Sequence, residues 1–183
     1  MKKTQKLTFT AVCIALCIAL PVVFHMIPEG GKIFSPMHIP VLLCGLVAGP
    51  AMGLISGLAG PLLSSLITAM PGPQNLFPMM AELAVYGLVS GLMMRVVRTD
   101  KLRSDLWASL LVAMIAGRVV GGIITAALYT KGTYSLTLWA AVYFGKSSPG
   151  IALHLLLVPA VYYALEKAKF IPKRYPSAKT ERT

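Results

Sequence analysis

Acidic residues are scarce in this chain: six Asp and Glu in 183 residues, against 17 Lys and Arg. They are too few and too scattered for a two-metal site, which needs several carboxylates converging on a pair of cations. Histidine is equally sparse at three, and neither His-Glu-x-x-His nor Gly-x-Ser-x-Gly occurs, so zinc-protease and serine-hydrolase chemistry have no frame. Gly145, Lys146 and Ser147 read as the tail of a phosphate-binding loop, but Ala140 stands where the leading glycine belongs. Cys13, Cys17 and Cys44 all fall in apolar segments, without a spacing that suits zinc or a disulfide framework, and read as small packing residues. The chain is therefore expected not to be an enzyme, not to hydrolyse ATP by itself, and to carry no metal or other cofactor.

Charge as a whole is thin, at 13% against 56% hydrophobic residues, with a mean hydropathy of +0.74. Long runs without any charge exclude a soluble domain. The net charge of +11 does not point to nucleic acid, because the basic residues lie between and beyond the apolar runs and form no stripe. Lys2, Lys3 and Lys6 before an apolar run imitate a signal peptide. That run continues to about Ile27 without a small-x-small cleavage site, and reads as a retained first span.

The apolar segments are roughly 7–27, 38–49, 51–70, 79–97, 107–130 and 147–167. The expected fold is an all-α membrane protein, one domain over 1–183 with six transmembrane helices and short basic tails at about 1–6 and 168–183. The second segment reaches only about 18 Å as a helix against a hydrocarbon core of about 30 Å, and ends at Gly49 and Pro50, so it is tilted or broken against its neighbours. Basic residues collect on the cytoplasmic side of a membrane. With six spans, thirteen lie inside, only Lys32, Lys131 and Lys146 lie outside, and Arg118 lies in the membrane, which puts both termini in the cytoplasm.

Helices in lipid associate by close backbone approach, so small residues four apart mark contact faces. Such pairs are Gly45 with Gly49, Gly53 with Gly57, Gly87 with Gly91 and Gly117 with Gly121. Ala11, Ala15 and Ala19 line one face of the first span, and either pack within the bundle or serve a partner helix.

Glu82 and Arg118 stand inside otherwise apolar spans. A charge at mid-helix costs about 2.5 to 3.5 kcal/mol on insertion scales, whereas each Leu, Ile, Val or Phe returns only about 0.3 to 0.6 kcal/mol. If the fourth span enters near Met79, Glu82 lies about 4 to 5 Å down with Tyr86 one turn deeper, Arg118 lies close to the midplane, and His154 about 10 Å from the outer surface. His25 and His38 flank the first outer loop, and Gln74 and Asn75 sit in the second, so the polar layer opens outward. Gly121, Gly122 and Thr125 follow Arg118 by one to two turns and would leave room beside its guanidinium. Arg118 either holds a carboxylate or similar acceptor of a bound solute, or pairs with Glu82 or caps free carbonyls. Glu82 has the matching alternatives of ligand contact or partner to Arg118. His154 is a packed hydrogen-bonded residue or a ligand contact, and His38, between Pro36 and Pro40, is a cap or a pocket edge. Tyr134, Trp139, Tyr143 and Phe144 in segment 131–146 form an interface belt or a lid over the pocket.

The stretch from His38 to Pro50 (His-Ile-Pro-Val-Leu-Leu-Cys-Gly-Leu-Val-Ala-Gly-Pro), then Gly53, Gly57, Gly60-Pro61-Leu-Leu-Ser-Ser65 and Glu82-Leu-Ala-Val-Tyr-Gly-Leu88, resembles the substrate-binding S components of energy-coupling factor (ECF) transporters. The resemblance runs from Lys6 to Tyr175. It implies a multi-pass protein of the bacterial cell membrane that captures a small water-soluble vitamin in the outer half of the bilayer. It also implies docking on a transmembrane T component through Ala11, Ala15 and Ala19, and ATP hydrolysis by two separate ATPase subunits. Arg118, Glu82, Tyr86, His154, Asn75 and His38 are the residues expected to line the site, and a midplane Arg favours an anionic vitamin such as pantothenate, niacin or a folate. The competing class is a stand-alone secondary transporter with Glu82 as proton carrier, which would work without partner subunits.

Overall fold

The computed structural model describes residues 1–24, 34–129 and 136–175, with Tyr129, Leu136, Leu138, Val142, Tyr143 and Lys146 described in backbone only. His25, Tyr134, the end of the predicted first span at 25–27 and the tail beyond 175 lie outside the described residues. Every regular element among them is helical: α1 (Lys3–Phe24), α2 (His38–Ala48), α3 (Pro50–Thr68), α4 (Pro73–Val96), α5 (Leu102–Tyr129), the short α6 (Leu136–Ala140) running into a π-helical turn (Ala141–Lys146), and α7 (Ser148–Lys167). Five of them, α1, α3, α4, α5 and α7, are long and apolar enough to cross a membrane, and α2 is a shorter apolar helix. Leu7, Val12, Val23, Leu66, Ile67, Ile123 and Leu156 are all well exposed, a distribution suited to acyl chains and not to water.

Helix α2 is the centre of the bundle. All its residues except Val47 are buried, and it packs on α1, α3, α4 and α7. A helix apolar on every side is stable only when enclosed by other elements, which is how a segment too short to span is held inside the bundle. Gly49, at φ +101°, breaks the chain between α2 and α3 in a backbone region that only glycine enters freely, and Pro50 opens α3 at a position that needs no N–H.

Glycines make the seam between α2, α3 and α4. A Cβ added to Gly53 or Gly87 would strike the other's backbone, one at Gly45 would strike Gly87 and Ser90, and one at Gly57 would strike the backbone of Leu83. Three of the four small-residue pairs read from the sequence therefore fall on this close approach, and Gly117 of the fourth lies against the Tyr86 ring. Ala11, Ala15 and Ala19 behave differently. They are exposed, while Thr10, Cys13, Cys17 and Pro21 turn inward from α1, so the alanine face is not internal packing.

Two of the boundaries that differ from the sequence reading bear on the site. Helix α4 begins at Pro73, not near Met79, because a proline at the first helical position is already set for the turn. The segment before α7 is helical from Leu136, where a loop was expected from 131 to 146. The C-terminal tail, expected to begin at about 168, is fastened to the bundle as far as Tyr175. Asp105, fully buried at the start of α5, accepts hydrogen bonds from Arg174 Nε and Tyr175 Oη at 2.6 Å each, from Thr99 N at 2.9 Å and from Thr99 Oγ1 at 2.7 Å. Arg174 Nη2 also donates to the Val97 carbonyl at 2.6 Å, and Ile171 joins the apolar core. Burial works against the Arg174 guanidinium, but its hydrogen bonds with Tyr175 and Asp105 outweigh that and raise its pKa above the ordinary value.

Candidate functional site

At the end of the bundle opposite Asp105, four helices bring their polar residues to one place. Helix α2 contributes His38 as its first residue, α4 contributes Glu82 and Tyr86 one turn apart, α5 contributes Arg118, and α7 contributes His154. All five are buried, with Arg118 at 2% and Tyr86 and His154 at 0% exposure. The His38 ring lies 5.4 Å from that of His154, nearly parallel at 15°, and meets the Tyr86 ring edge-on at 5.0 Å. With α4 starting at Pro73, Glu82 stands about 13 Å along the helix from its first residue.

One main-chain oxygen organises the imidazoles. The Ser35 carbonyl receives His38 N at 3.1 Å, His38 Nδ1 at 3.0 Å and His154 Nε2 at 3.2 Å. His38 is thus both the first residue of α2 and a member of the polar cluster.

Arg118 and Glu82 do not pair. The carboxylate faces His38 Nε2 at 3.6 Å, and the guanidinium donates from Nη1 to Ser147 Oγ at 2.7 Å. Phe144 lies under the same guanidinium, 5.5 Å from ring centroid to Cζ. A hydrogen bond to a charged group contributes about 1.5 to 3 kcal/mol and a partly exposed cation–π contact about 0.5 to 1 kcal/mol, together close to the insertion cost of an arginine. Arg118 is therefore compensated without help from Glu82, and its Nε is left buried and unpartnered. The Tyr86 hydroxyl, also unpartnered, lies within electrostatic reach of both Glu82 and Arg118.

The room expected beside Arg118 is partly taken. Gly121 has its open side against the Glu82 carboxyl group, where an added Cβ would come within 3.1 Å of Oε2, and Gly122 lies against the Trp139 indole. The glycines admit these two side chains, and Trp139 Nε1 donates to the Arg118 carbonyl at 3.2 Å. Segment 136–147 thus reaches the cluster through Trp139, Phe144 and Ser147, the first two being predicted belt residues. Asn75 is exposed in the first turn of α4, about two turns from Glu82, and is not drawn into the cluster.

Ser147 and the Ser35 carbonyl were missed by the sequence reading. Ser147 was seen only as part of a failed phosphate-loop match, and a main-chain acceptor leaves no mark in residue identity. Among the described residues no group of three or more His, Cys, Asp or Glu is placed to hold a metal ion.

The comparison with curated proteins returned no match. A family model described as "ECF transporter, substrate-specific component" matches residues 5–162, most of the chain and every helix that builds the cluster. The chain belongs to that family, and is a multi-pass membrane subunit that binds substrate for an ECF importer.

Proposed function

We propose that the Arg118 cluster is the solute site, and that Arg118 holds the anionic group of a small water-soluble vitamin such as pantothenate. The supporting observation is the state of the guanidinium: Nη1 is fixed by Ser147, Glu82 is turned to His38, and a buried Nε remains without a partner. A fixed planar fork with an open donor suits a carboxylate, which accepts along two parallel directions. Six spans with both termini in the cytoplasm put the cluster in the outer half of the bacterial cell membrane, where a solute arrives from outside.

The outward alanine face of α1 supports docking on a T component, since three small residues on successive turns let another helix approach closely. ATP hydrolysis then belongs to two partner ATPase subunits.

Equilibrium binding of labelled pantothenate, nicotinate and folate to the purified chain tests the site. At least one is expected to bind, and Arg118→Ala to abolish that binding while the protein still inserts and elutes as a single species. Unchanged affinity in the variant discards the assignment. Uptake into vesicles that continues without the ATPases would mark a proton-coupled carrier instead.

A further inference from the structure

If Arg118 holds the anionic group of the solute, as proposed above, a second side chain stands ready to meet the same group. A guanidinium is a planar fork in which Nε and Nη2 lie along one edge. Ser147 takes Nη1, so that edge is left whole, and its Nε is buried without a partner. The Tyr86 hydroxyl, in the same cluster, is also buried and unpartnered. Packing fixes its place. Gly117, the residue before Arg118, has its open side against the Tyr86 ring, where any Cβ would overlap Cδ1 and Cε1, and the His38 ring meets Tyr86 at 5.0 Å from another helix. A ring wedged between two helices keeps its rotamer, so the hydroxyl is held within electrostatic reach of Arg118 and Glu82.

Two acceptors compete for that hydroxyl, the Glu82 carboxylate and the solute. Glu82 is already paired with the His38 imidazole at 3.6 Å, and no hydrogen bond joins it to Tyr86. A buried hydroxyl has given up its bond to water and is destabilising until an acceptor arrives. An ionised carboxylate carries lone pairs on both oxygens and accepts from Arg118 and Tyr86 at once. The amide of the same acid turns an NH2 toward one of them, and the alcohol offers a single oxygen.

We propose that Tyr86 is the second donor to the head group of the solute, and that with Arg118 it selects an ionised carboxylate over the neutral amide or alcohol of the same vitamin. Charge gives Arg118 part of this preference on its own. The Tyr86 hydroxyl adds the part that depends on a second acceptor oxygen, because a site built to hydrogen-bond an atom rejects the analogue that leaves its donor unmet.

Matched pairs of probes test this on the purified full chain: pantothenate against pantothenol, and nicotinate against nicotinamide. The acid of at least one pair is expected to bind about a hundredfold or more tightly than its neutral partner. Tyr86→Phe, which keeps the ring and the Arg118 charge, is expected to weaken the acid by about tenfold or more and to leave the neutral partner nearly unchanged, so the ratio shrinks. A structural role for Tyr86 would instead lower both members alike, and that result, or an unaltered ratio, overturns the proposal. Should the variant fail to fold, the unaltered protein carrying 13C at tyrosine Cζ gives a second reading. One Cζ resonance is expected to move with the acid and stay in place with its neutral partner; no tyrosine response to the acid overturns the proposal as well. If Arg118→Ala abolishes binding while Tyr86→Phe keeps the full ratio, only the role of Tyr86 falls. If no carboxylate binds at all, the Arg118 site falls and the role of Tyr86 falls with it.

Discussion

Gly53 and Gly87 meet backbone to backbone, so that α3 and α4 touch with only hydrogens between them. An alanine at either position has no flexible side-chain end to push aside, only a carbonyl. Gly53→Ala and Gly87→Ala are each expected to cost about 1 to 3 kcal/mol, the range for overpacking a filled interior. Thermal unfolding in detergent checks this, with Gly72→Ala as a control, since a Cβ there meets nothing.

Arg118→Lys is expected to weaken solute binding by roughly tenfold or more. An ammonium is a point charge and cannot keep the Ser147 contact while offering a second, parallel donor. Isothermal titration with the best-bound probe measures the loss, and retention of full affinity by the lysine variant would show that the fork is not used.

Ala15→Leu is expected to spare solute binding and block uptake by a reconstituted complex. The residue is exposed on α1, so a larger side chain disturbs nothing inside the chain but holds an approaching helix away. Binding and uptake are measured on the same preparation; uptake at the original rate removes the alanine face from docking.

Arg174→Ala is expected to destabilise the protein by about 1.5 to 3 kcal/mol, the range for a hydrogen bond to a charged group, and to free the C-terminal segment. Tyr175→Phe should cost less, about 1 kcal/mol, since Asp105 keeps Thr99 and Arg174. Limited proteolysis after residue 168 and the thermal midpoint report the two effects separately.

The helical architecture and most of the polar cluster were legible because each has a one-dimensional trace. Apolar runs gave the helices, and charges within those runs gave Glu82 and Arg118. Partnership was not legible, since spacing along a helix fixes depth but not the direction in which a side chain leaves it. Glu82 and Arg118 share a layer, yet one turns to His38 and the other to Ser147. Helix α4 started early because Pro73, Gln74 and Asn75 look like loop, although a proline at that position begins helices readily. Asp105 was hidden among the charges at a span edge, where a buried aspartate and a solvated one have the same local sequence.

The Ser35 carbonyl holds both imidazoles, and it is a part of the molecule that side-chain replacement does not reach. Exchanging Ser35 for another residue leaves its oxygen in place so long as the backbone keeps its left-handed turn at φ +45°. Alanine at position 35 keeps this oxygen, so a side-chain scan would assign the anchor's effect to the histidines. Only a replacement that redirects the main chain, such as Ser35→Pro, would expose the anchor on which the two rings depend.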